Sequence, residues 1–250
     1  MKSVGIRLEP NTVLTNLQSL ECRKEFWTNR VQNCHSAGIP EMAVACTRRQ
    51  NNLEDTTNVS EFLKANEKFR DEVLFYLISF FHGFCSIKTG LELFVGPGVF
   101  YRKLVNWIHT LYGIDFVQDN LDYIRSLLPT SASKLLCVPA HCIEQERSPE
   151  GFHPEDLDVI LAFRGFIHQP VGERQQTLKD IQKILKSGGY LVIGELFEDD
   201  RPKERPVNKG TWYWEIDRYK KELKKMDLVS LSNQMDNDGD PCRVAIFQKK

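Results

Sequence analysis

The sequence predicts a doubly wound α/β fold built on a parallel sheet, and three observations carry this prediction. The apolar run Leu91–Val95 breaks at Gly96-Pro97-Gly98 and continues as an amphipathic segment, which predicts a strand, a tight glycine turn and a helix. The run Val159–Leu161 is continuously apolar, as in a central strand buried on both faces. Strand-like runs alternate with helix-like segments along the chain, and this alternation is typical of a parallel sheet covered by helices.

The remaining elements follow from the spacing of apolar residues and from turn residues. Ser60 is the expected N-cap of a long helix, and Ser187-Gly188-Gly189 is the expected end of a later one. The turn Asp236–Asp240 predicts a C-terminal antiparallel hairpin. The predicted helices cover 14–27, 61–84, 99–109, 119–128, 174–186 and 212–226, and the predicted strands cover 91–95, 111–115, 134–138, 156–162, 190–195, 228–234 and 243–248.

Length and charge narrow the class of protein. A chain of 250 residues is long enough for one full core, and we expect an N-terminal helical extension, a lid or arm, over 1–60, followed by the α/β domain over 61–250. The formal net charge of −1 provides no large basic field for a nucleic-acid backbone. The apolar run 73–84 is too short to span a bilayer. The chain start has no apolar signal core, so we expect a cytoplasmic protein without a membrane anchor.

The cysteines and histidines show no pattern of metal ligands. The chain has seven cysteines, an odd number, without any C-x-x-C pair. We therefore expect free thiols in a reducing compartment, and no metal site.

The glycine turn and Asp115 together indicate a site for a nucleotide-like ligand. Glycine lets a ligand approach the main chain, and the helix that begins after the turn directs unpaired N–H groups at the end of the strand. Asp115 ends the second predicted strand, where a carboxylate can accept hydrogen bonds from both ribose hydroxyls. A helix cap or a plain surface acid is the alternative reading of Asp115. A dinucleotide fingerprint would need a third glycine, but Tyr101 stands at that position.

Two further blocks decide the resemblance. The sequence Asp158-Val159-Ile160-Leu161-Ala162-Phe163, and after about twenty residues Ile184-Leu185-Lys186-Ser187-Gly188-Gly189-Tyr190-Leu191-Val192-Ile193-Gly194-Glu195, closely resembles a block of class I S-adenosylmethionine-dependent methyltransferases. The glycine turn resembles the first motif of the same family, and the resemblance covers residues 62–250. It implies the Rossmann-like methyltransferase sheet and S-adenosylmethionine as the cofactor. Gly96-Pro97, Asp115-Phe116 with Asn120-Leu121, and Gly210-Thr211-Trp212 look like the small-amine group of nicotinamide, phenylethanolamine and thioether methyltransferases.

The resemblance also implies roles for individual residues. Glu92 would lie near the methionine amino end of the cofactor, and Gly96 and Gly98 would line its methionine and sugar. Asp115 would bind the ribose. The other residues that the resemblance places around the cofactor are Phe116 and Asn120 after the second strand, Cys142 beside the adenine, and Ala162 and Phe163 near the transferring methyl.

The chain departs from the family pattern at three places. Phe94 stands where the first glycine of the motif is usual. Pro139-Ala140-His141-Cys142 stands where the family usually has an acid for the adenine amino group. The N-terminal segment lacks the tyrosine of the small-amine group. These departures make a catalytically inactive relative with a binding or regulatory role the alternative to an enzyme.

Candidates for the chemistry itself lie near predicted strand ends. His168 and Glu195 are candidate bases for a hydroxyl or a protonated amine, although a surface or capping role is an equal reading of His168. Trp212 and Tyr213 could form a substrate pocket or hold a cation, or simply pack a helix. The predicted function is therefore methyl transfer from S-adenosylmethionine to a small molecule, an amine by the resemblance. A protein or RNA methyltransferase is a further alternative, which the near-neutral charge does not favour.

Overall fold

The centre of the fold is a mixed β-sheet. The structure is a computed structural model, and it describes residues 19–41, 56–144, 157–201, 211–237 and 239–250. The strand order is β3-β2-β1-β4-β5-β8-β6, and β7 pairs with the start of β8. β1 to β5 run parallel, whereas β8 is antiparallel to both β5 and β6. The expected doubly wound sheet with a C-terminal antiparallel hairpin is confirmed. The strands are β1 Thr89–Leu93, β2 Thr110–Asp115, β3 Leu135–Cys137, β4 Leu157–Phe163, β5 Leu185–Glu195, β6 Met226–Leu231, β7 Met235–Asn237 and β8 Asp240–Lys249.

The strand order reverses between β1 and β4. The chain moves outward from β1 through β2 to β3, and then returns to pair β4 with the other side of β1. In open sheets of this kind, ligands bind at such a reversal, outside the carboxyl ends of the strands. We call the gap between the turns that follow Leu93 and Phe163 the switch-point crevice.

Helices cover both faces of the sheet. One apolar cluster joins the sheet to α2 and α4 through side chains such as Phe69, Leu77 and Ile124. A second cluster joins the opposite face to α5 and α6 through side chains such as Ile181 and Tyr219. The helices are α1 Leu20–Ser36, α2 Thr56–Phe80, α3 Tyr101–Leu104, α4 Gln118–Leu127, α5 Val171–Ile184 and α6 Ile216–Glu222.

The N-terminal helices differ from their predicted bounds. The prediction of a helix over 14–27 lies partly outside the described residues, and α1 begins at Leu20 with Ser19 as its N-cap. The prediction of Ser60 as an N-cap is wrong, because α2 already begins at Thr56 and passes through the expected boundary at residue 60. It ends at Phe80 because the following turn includes the left-handed residues His82, Gly83 and Phe84.

Other differences arise where glycine or tertiary contacts override the spacing of apolar residues. The helix expected over 99–109 is α-helical only from Tyr101 to Leu104. Ser187-Gly188-Gly189 does not end a helix, because α5 already stops at Ile184 and this tripeptide lies within β5. The helix expected over 212–226 is reduced to α6, so that Trp212 and Tyr213 lie in an extended segment before it.

Among the described residues, none of the helices is both long enough and apolar enough to cross a membrane.

The sheet is tightly packed at Gly113 of β2, which makes it a good place to test the packing. A Cβ added there would lie 2.8 Å from Leu135 and Tyr101 and 2.9 Å from Val95. We expect Gly113→Ala to lower the free energy of unfolding by about 1–3 kcal/mol through overpacking. Gly172→Ala is the matched control, because nothing lies within 4 Å of a Cβ at this position in α5. Urea unfolding of both variants measures the difference, and equal stabilities would contradict the packing described here.

Candidate active site

Asp115 connects the turns that follow the first two strands. Its Oδ2 accepts a hydrogen bond from the Gly96 N–H at 2.8 Å, and its Oδ1 accepts one from the Val117 N–H at 2.8 Å. Burial raises the pKa of the Asp115 carboxyl, although these two N–H groups and the Asn120 side chain act in the opposite direction. Each carboxylate oxygen can accept more than one hydrogen bond, so the proposed contact with ribose hydroxyls remains chemically available.

Two unpaired acceptors lie in the same region. Within the described part of the chain, Glu92 Oε2 and Asn120 Oδ1 are buried and have no hydrogen-bond partner. Glu92 is 2 % exposed, and its pKa is raised well above the ordinary value by burial and by the charge of Asp115. Buried acceptors without donors cost stability, and such groups need an explanation. A ligand that brings hydrogen-bond donors to this site would supply one.

Both glycines and a phenylalanine adopt left-handed backbone conformations at the glycine turn. Gly96 and Gly98 have φ angles of 54° and 78°, where glycine avoids steric cost. The missing side chain of Gly98 faces the core, since a Cβ there would lie 2.9 Å from Ile124. Phe94 also has a positive φ, of 58°, which is a genuine outlier for a bulky residue. The backbone therefore keeps the conformation that favours glycine, although phenylalanine stands there.

The structure also places the other predicted cofactor residues. Phe116 packs against the cluster that α1 and α2 form with Val117. Cys142 is half-buried, in a short 3-10 turn after β3. The Ala162 side chain belongs to the cluster on the α5 face. Phe163 lies on the opposite face, where its ring stacks on that of Phe100 at 4.0 Å between centroids.

Helix α1 crosses the carboxyl edge of the sheet. Near α4, Val31 and Cys34 pack with Phe62 and Val117. Towards the other end of the helix, the Trp27 ring meets the His168 ring edge-on, at 4.9 Å between centroids, in the turn after β4. In the sheet, β1 lies between β2 and β4, so α1 passes over the end of β1.

An ion pair fixes α1 at its N-terminal end. Arg23 of α1 pairs with Glu173 at the start of α5, and this carboxylate lies 3.4 Å from His141 Nδ1. His141 belongs to the segment after β3 that lacks the acid usual in the family. Glu173 thus connects α1, the end of β3 and α5.

A buried arginine organises the turn after β4. Arg174 is 0 % exposed, and its guanidinium donates hydrogen bonds to the carbonyls of Phe166, Gln169 (3.3 Å) and Trp212 and lies over the Trp214 ring at 4.5 Å. These contacts hold the turn after β4 and the segment before α6 together, so Arg174 is a positioning residue for both.

Glu195 belongs to the same buried network. Its carboxylate accepts hydrogen bonds from the Tyr219 hydroxyl and the Ile167 N–H. Burial raises the pKa of the Glu195 carboxyl, and the Arg174 charge opposes this increase. The Glu195 side chain lies on the α5 face, whereas Glu92 and Asp115 lie together near the glycine turn. These contacts favour a structural role for Glu195 over the proposed role of base.

The other candidates for the chemistry lie near this turn. His168 is half-exposed, and the Trp212 N–H donates to the Ile167 carbonyl at 2.7 Å, so Trp212 lies beside the His168 turn. Tyr213 packs on the α2 face of the sheet, with the Arg201 guanidinium 5.9 Å from its ring. Among the described residues, no group of three His, Cys, Asp or Glu side chains is arranged to hold a metal ion.

Sequence reasoning missed two residues of this site. Arg174 is not among the predicted site residues, because a charged residue at a helix start resembles a solvated side chain. Only the fold reveals the three carbonyls around it. Trp27 is not among the predicted site residues either, because many residues of sequence separate it from His168, which it contacts. An aromatic residue on the apolar side of a helix carries no signal for such a contact.

Comparisons with known proteins give a family match over the strands that carry the glycine turn. Residues 91–193 match the family described as "Methyltransferase domain". A polyketide synthase-nonribosomal peptide synthetase of Aspergillus clavatus is 29% identical over 72 residues. That match covers 29% of this chain and only 2% of the relative's length.

Several solved structures share the fold at low sequence identity. N-methyltransferase NodS of Bradyrhizobium japonicum WM9, in complex with S-adenosyl-L-homocysteine, has a TM-score of 0.55 at 16% identity and covers 88% of this chain and 98% of its own. Magnesium protoporphyrin IX methyltransferase of Synechocystis PCC 6803, with the same ligand, has a TM-score of 0.64 at 8% identity and covers 93% and 100%. A complex between a methyltransferase activator and a putative methyltransferase of Haloferax volcanii has a TM-score of 0.53 at 14% identity and covers 67% and 86%. The methyltransferase-domain model thus matches residues 91–193, and the solved structures show the same fold.

The buried carboxyl of Glu92 predicts a pH dependence of stability. The pKa of Glu92 is raised in the folded protein. Its favourable contribution to the free energy of unfolding is therefore complete below the ordinary pKa of 4.5 and is lost as the pH rises through the folded pKa. In that window this one group lowers the free energy of unfolding by up to about 1.4 kcal/mol per pH unit. We expect Glu92→Gln to reduce this loss, as measured by urea unfolding from pH 4.5 upward.

Two comparisons make this result specific. Asp115 and Glu195 also have raised pKa values, so part of the pH dependence should remain in the Gln variant. Glu61→Gln removes one negative charge at an exposed position of α2 and serves as the control. Identical pH profiles for Glu92→Gln and the wild type would contradict the burial of the Glu92 carboxyl.

Two arginines, one buried and one exposed, lie over the Trp214 ring and form a matched pair for comparison. Arg174 is buried at 4.5 Å from the ring centroid, whereas Arg218 is exposed at 4.2 Å. We expect Arg174→Met to cost about 3–5 kcal/mol, because the Glu195 charge loses its partner and several carbonyls lose their donor. Arg218→Met should cost less than about 1 kcal/mol, as for an exposed cation–π contact. Thermal or urea unfolding compares them, and equal losses would refute the organising role of Arg174.

Proposed function

We propose that this chain binds S-adenosylmethionine at the glycine turn and transfers its methyl group to a small-molecule amine. The observation that carries the proposal is the group of acceptors formed by Asp115 and by the unpaired Glu92 Oε2 and Asn120 Oδ1. Glu92 and Asp115 lie near the carboxyl ends of β1 and β2, and Asn120 lies in the first turn of α4, which follows β2; this edge of the sheet is where such folds bind nucleotide-like ligands.

The chemistry of this group fits the cofactor. S-adenosylmethionine carries an ammonium group and two ribose hydroxyls, which are donors, and the site presents acceptors. Asp115 and Asn120 would hold the ribose, and Glu92 would lie towards the ammonium group. When bound, the cofactor supplies a methyl group on a sulfonium, so the reaction needs positioning more than bond activation by the protein.

The protein's own part is to position the acceptor and exclude water. Helix α1 covers the crevice from Val117 to His168, which limits the access of water. Arg174 donates hydrogen bonds to the carbonyls of Phe166, in the turn that carries His168, and of Trp212, and so fixes the backbone of both segments. Residues on such a fixed turn can hold an acceptor in one orientation. The half-exposed His168 imidazole is the group that could take a proton from a protonated amine.

An amine acceptor agrees with the residues around this turn. Trp27 and His168 place aromatic rings at the turn after β4, the Trp212 N–H is bonded to the same turn, and aromatic faces attract amines in their cationic form. NodS is described as an N-methyltransferase, whereas the Synechocystis relative is named for a porphyrin. The formal net charge of −1 gives no support to an RNA acceptor.

A catalytically inactive relative remains the second candidate because of Phe94. Its ring lies in the switch-point crevice, packed on the turn after β4, and the acid usual after β3 is absent. An inactive relative would bind the cofactor weakly or not at all and would act through its surface.

Isothermal titration with S-adenosylmethionine and S-adenosylhomocysteine tests the proposal. We expect dissociation constants of about micromolar order for the wild type. Asp115→Ala should weaken binding by about 10- to 100-fold, because it removes hydrogen bonds to a charged acceptor. Asp119→Ala is the matched control, since this acid lies at the start of the same helix α4 but is partly exposed.

The second arm measures the reaction directly. Production of S-adenosylhomocysteine is followed with a panel of small amines, and with phenols and carboxylates for comparison. Turnover with amines that falls in Trp212→Ala supports the acceptor class. Absence of binding by the folded wild type would refute the cofactor proposal, and binding without turnover on any acceptor would favour the inactive alternative.

A further inference from the structure

The ring of Phe94 occupies the switch-point crevice. Phe94 follows β1, and its ring centroid lies 5.4 Å from that of Phe166, which follows β4. The ring therefore spans the gap between the two strand ends at which the strand order reverses. This is the position where a sheet of this topology binds its ligand.

Gly165 accommodates the ring from the other side. A Cβ placed at Gly165 would lie 2.0 Å from Cδ2 and 2.1 Å from Cγ of Phe94. Even an alanine at position 165 would therefore require the ring to move. The crevice is closed by a contact between one side chain and one backbone segment.

The backbone on both sides of this contact is left-handed. Phe94 has a φ of 58° and Arg164, directly before Gly165, has a φ of 56°. Such conformations in bulky residues persist only where the surrounding structure enforces them, and they concentrate at ligand sites and switches. The contact between Phe94 and Gly165 is held by two unfavourable backbone conformations rather than by a relaxed loop.

The ring is only partly fixed in this position. Phe94 is half-buried and packs at the margin of the cluster on the α5 face, whereas its neighbours Leu93 and Val95 are fully buried. Rotation about the Cα–Cβ bond would move the Phe94 ring, whereas its Cβ, 2.5 Å from a Cβ built at Gly165, would stay in place.

We propose that Phe94 is a gate: its ring, packed on Gly165, closes the crevice between β1 and β4 and must move before the sulfonium end of the cofactor enters. This inference rests on the proposed function. A gate of this kind divides the molecules into closed and open forms. Only the open form binds the cofactor, so the apparent affinity equals the intrinsic affinity multiplied by the open fraction. It also gives the inactive alternative a physical cause, because a gate that never opens leaves the fold without its cofactor.

The test uses S-adenosylhomocysteine binding by the full chain, with affinity from titration and the association rate from stopped-flow measurements. Phe94→Ala removes the ring and keeps the backbone restriction, whereas Phe94→Gly removes both. If the crevice is open in about one molecule in ten, both variants should bind about ten-fold more tightly. The association rate constant should rise as well, because the closed form no longer delays entry. Phe94→Leu retains bulk at the same position and should remain close to the wild type.

A double-mutant cycle isolates the contact with Gly165. Gly165→Ala alone should displace the ring and increase the association rate, and in the Phe94→Gly background it should have no such effect. A merely structural role of Phe94 would change the unfolding midpoint of the free protein but not the association rate.

The outcomes separate this proposal from the proposed function. If the wild type binds and both Phe94→Ala and Phe94→Gly bind equally or more weakly, the gate is refuted and the cofactor site stands. If only the variants bind, the gate is supported, and the wild type is the inactive relative. If none of the folded proteins binds, both proposals fail.

Discussion

The site depends on one carboxylate that holds two turns together. Asp115 accepts the N–H groups of Gly96 and Val117, which follow β1 and β2, so these turns cannot move independently. The cost is a buried charge with a raised pKa, close to a second buried carboxyl at Glu92. A stable core would not place two carboxyls there without reason. The combination is what a site prepared for a cationic, hydroxyl-bearing ligand requires.

A second buried charge fixes the turn after β4 in a comparable way. Arg174 collects backbone carbonyls from the turn after β4 and from the segment before α6, and its charge is opposed by Glu195. Helix α1 rests on this fixed turn through Trp27 and His168 and reaches Val117 with its other half. The turns after β1 and β2 and the turn after β4 are thus each held by one buried ionic group, and α1 contacts residues on both sides.

Phe94 holds a backbone conformation that favours glycine. The position retains a positive φ, and Gly165 on the facing turn leaves space for the ring. The consequence for ligand entry lies in the side chain, which is why Phe94 connects the active and the inactive interpretations of this chain.

The sequence by itself determined the order of strands and helices, the glycine turn and Asp115, because these follow from local apolar spacing and from residues with special backbone freedom. It named Glu92 and Phe163, which lie in β1 and β4, and Asn120, which lies in α4, as cofactor residues, and these roles stay predictions. It failed for Ser60, for the end of α5 and for the length of the helix after the glycine turn, where tertiary contacts outweigh local preference. Only the tertiary structure decided that Arg174 is buried, that Glu195 is held by Tyr219 and Ile167, and that Phe94 meets Gly165. These contacts join residues far apart in the chain, and no local pattern records which distant group a side chain will meet.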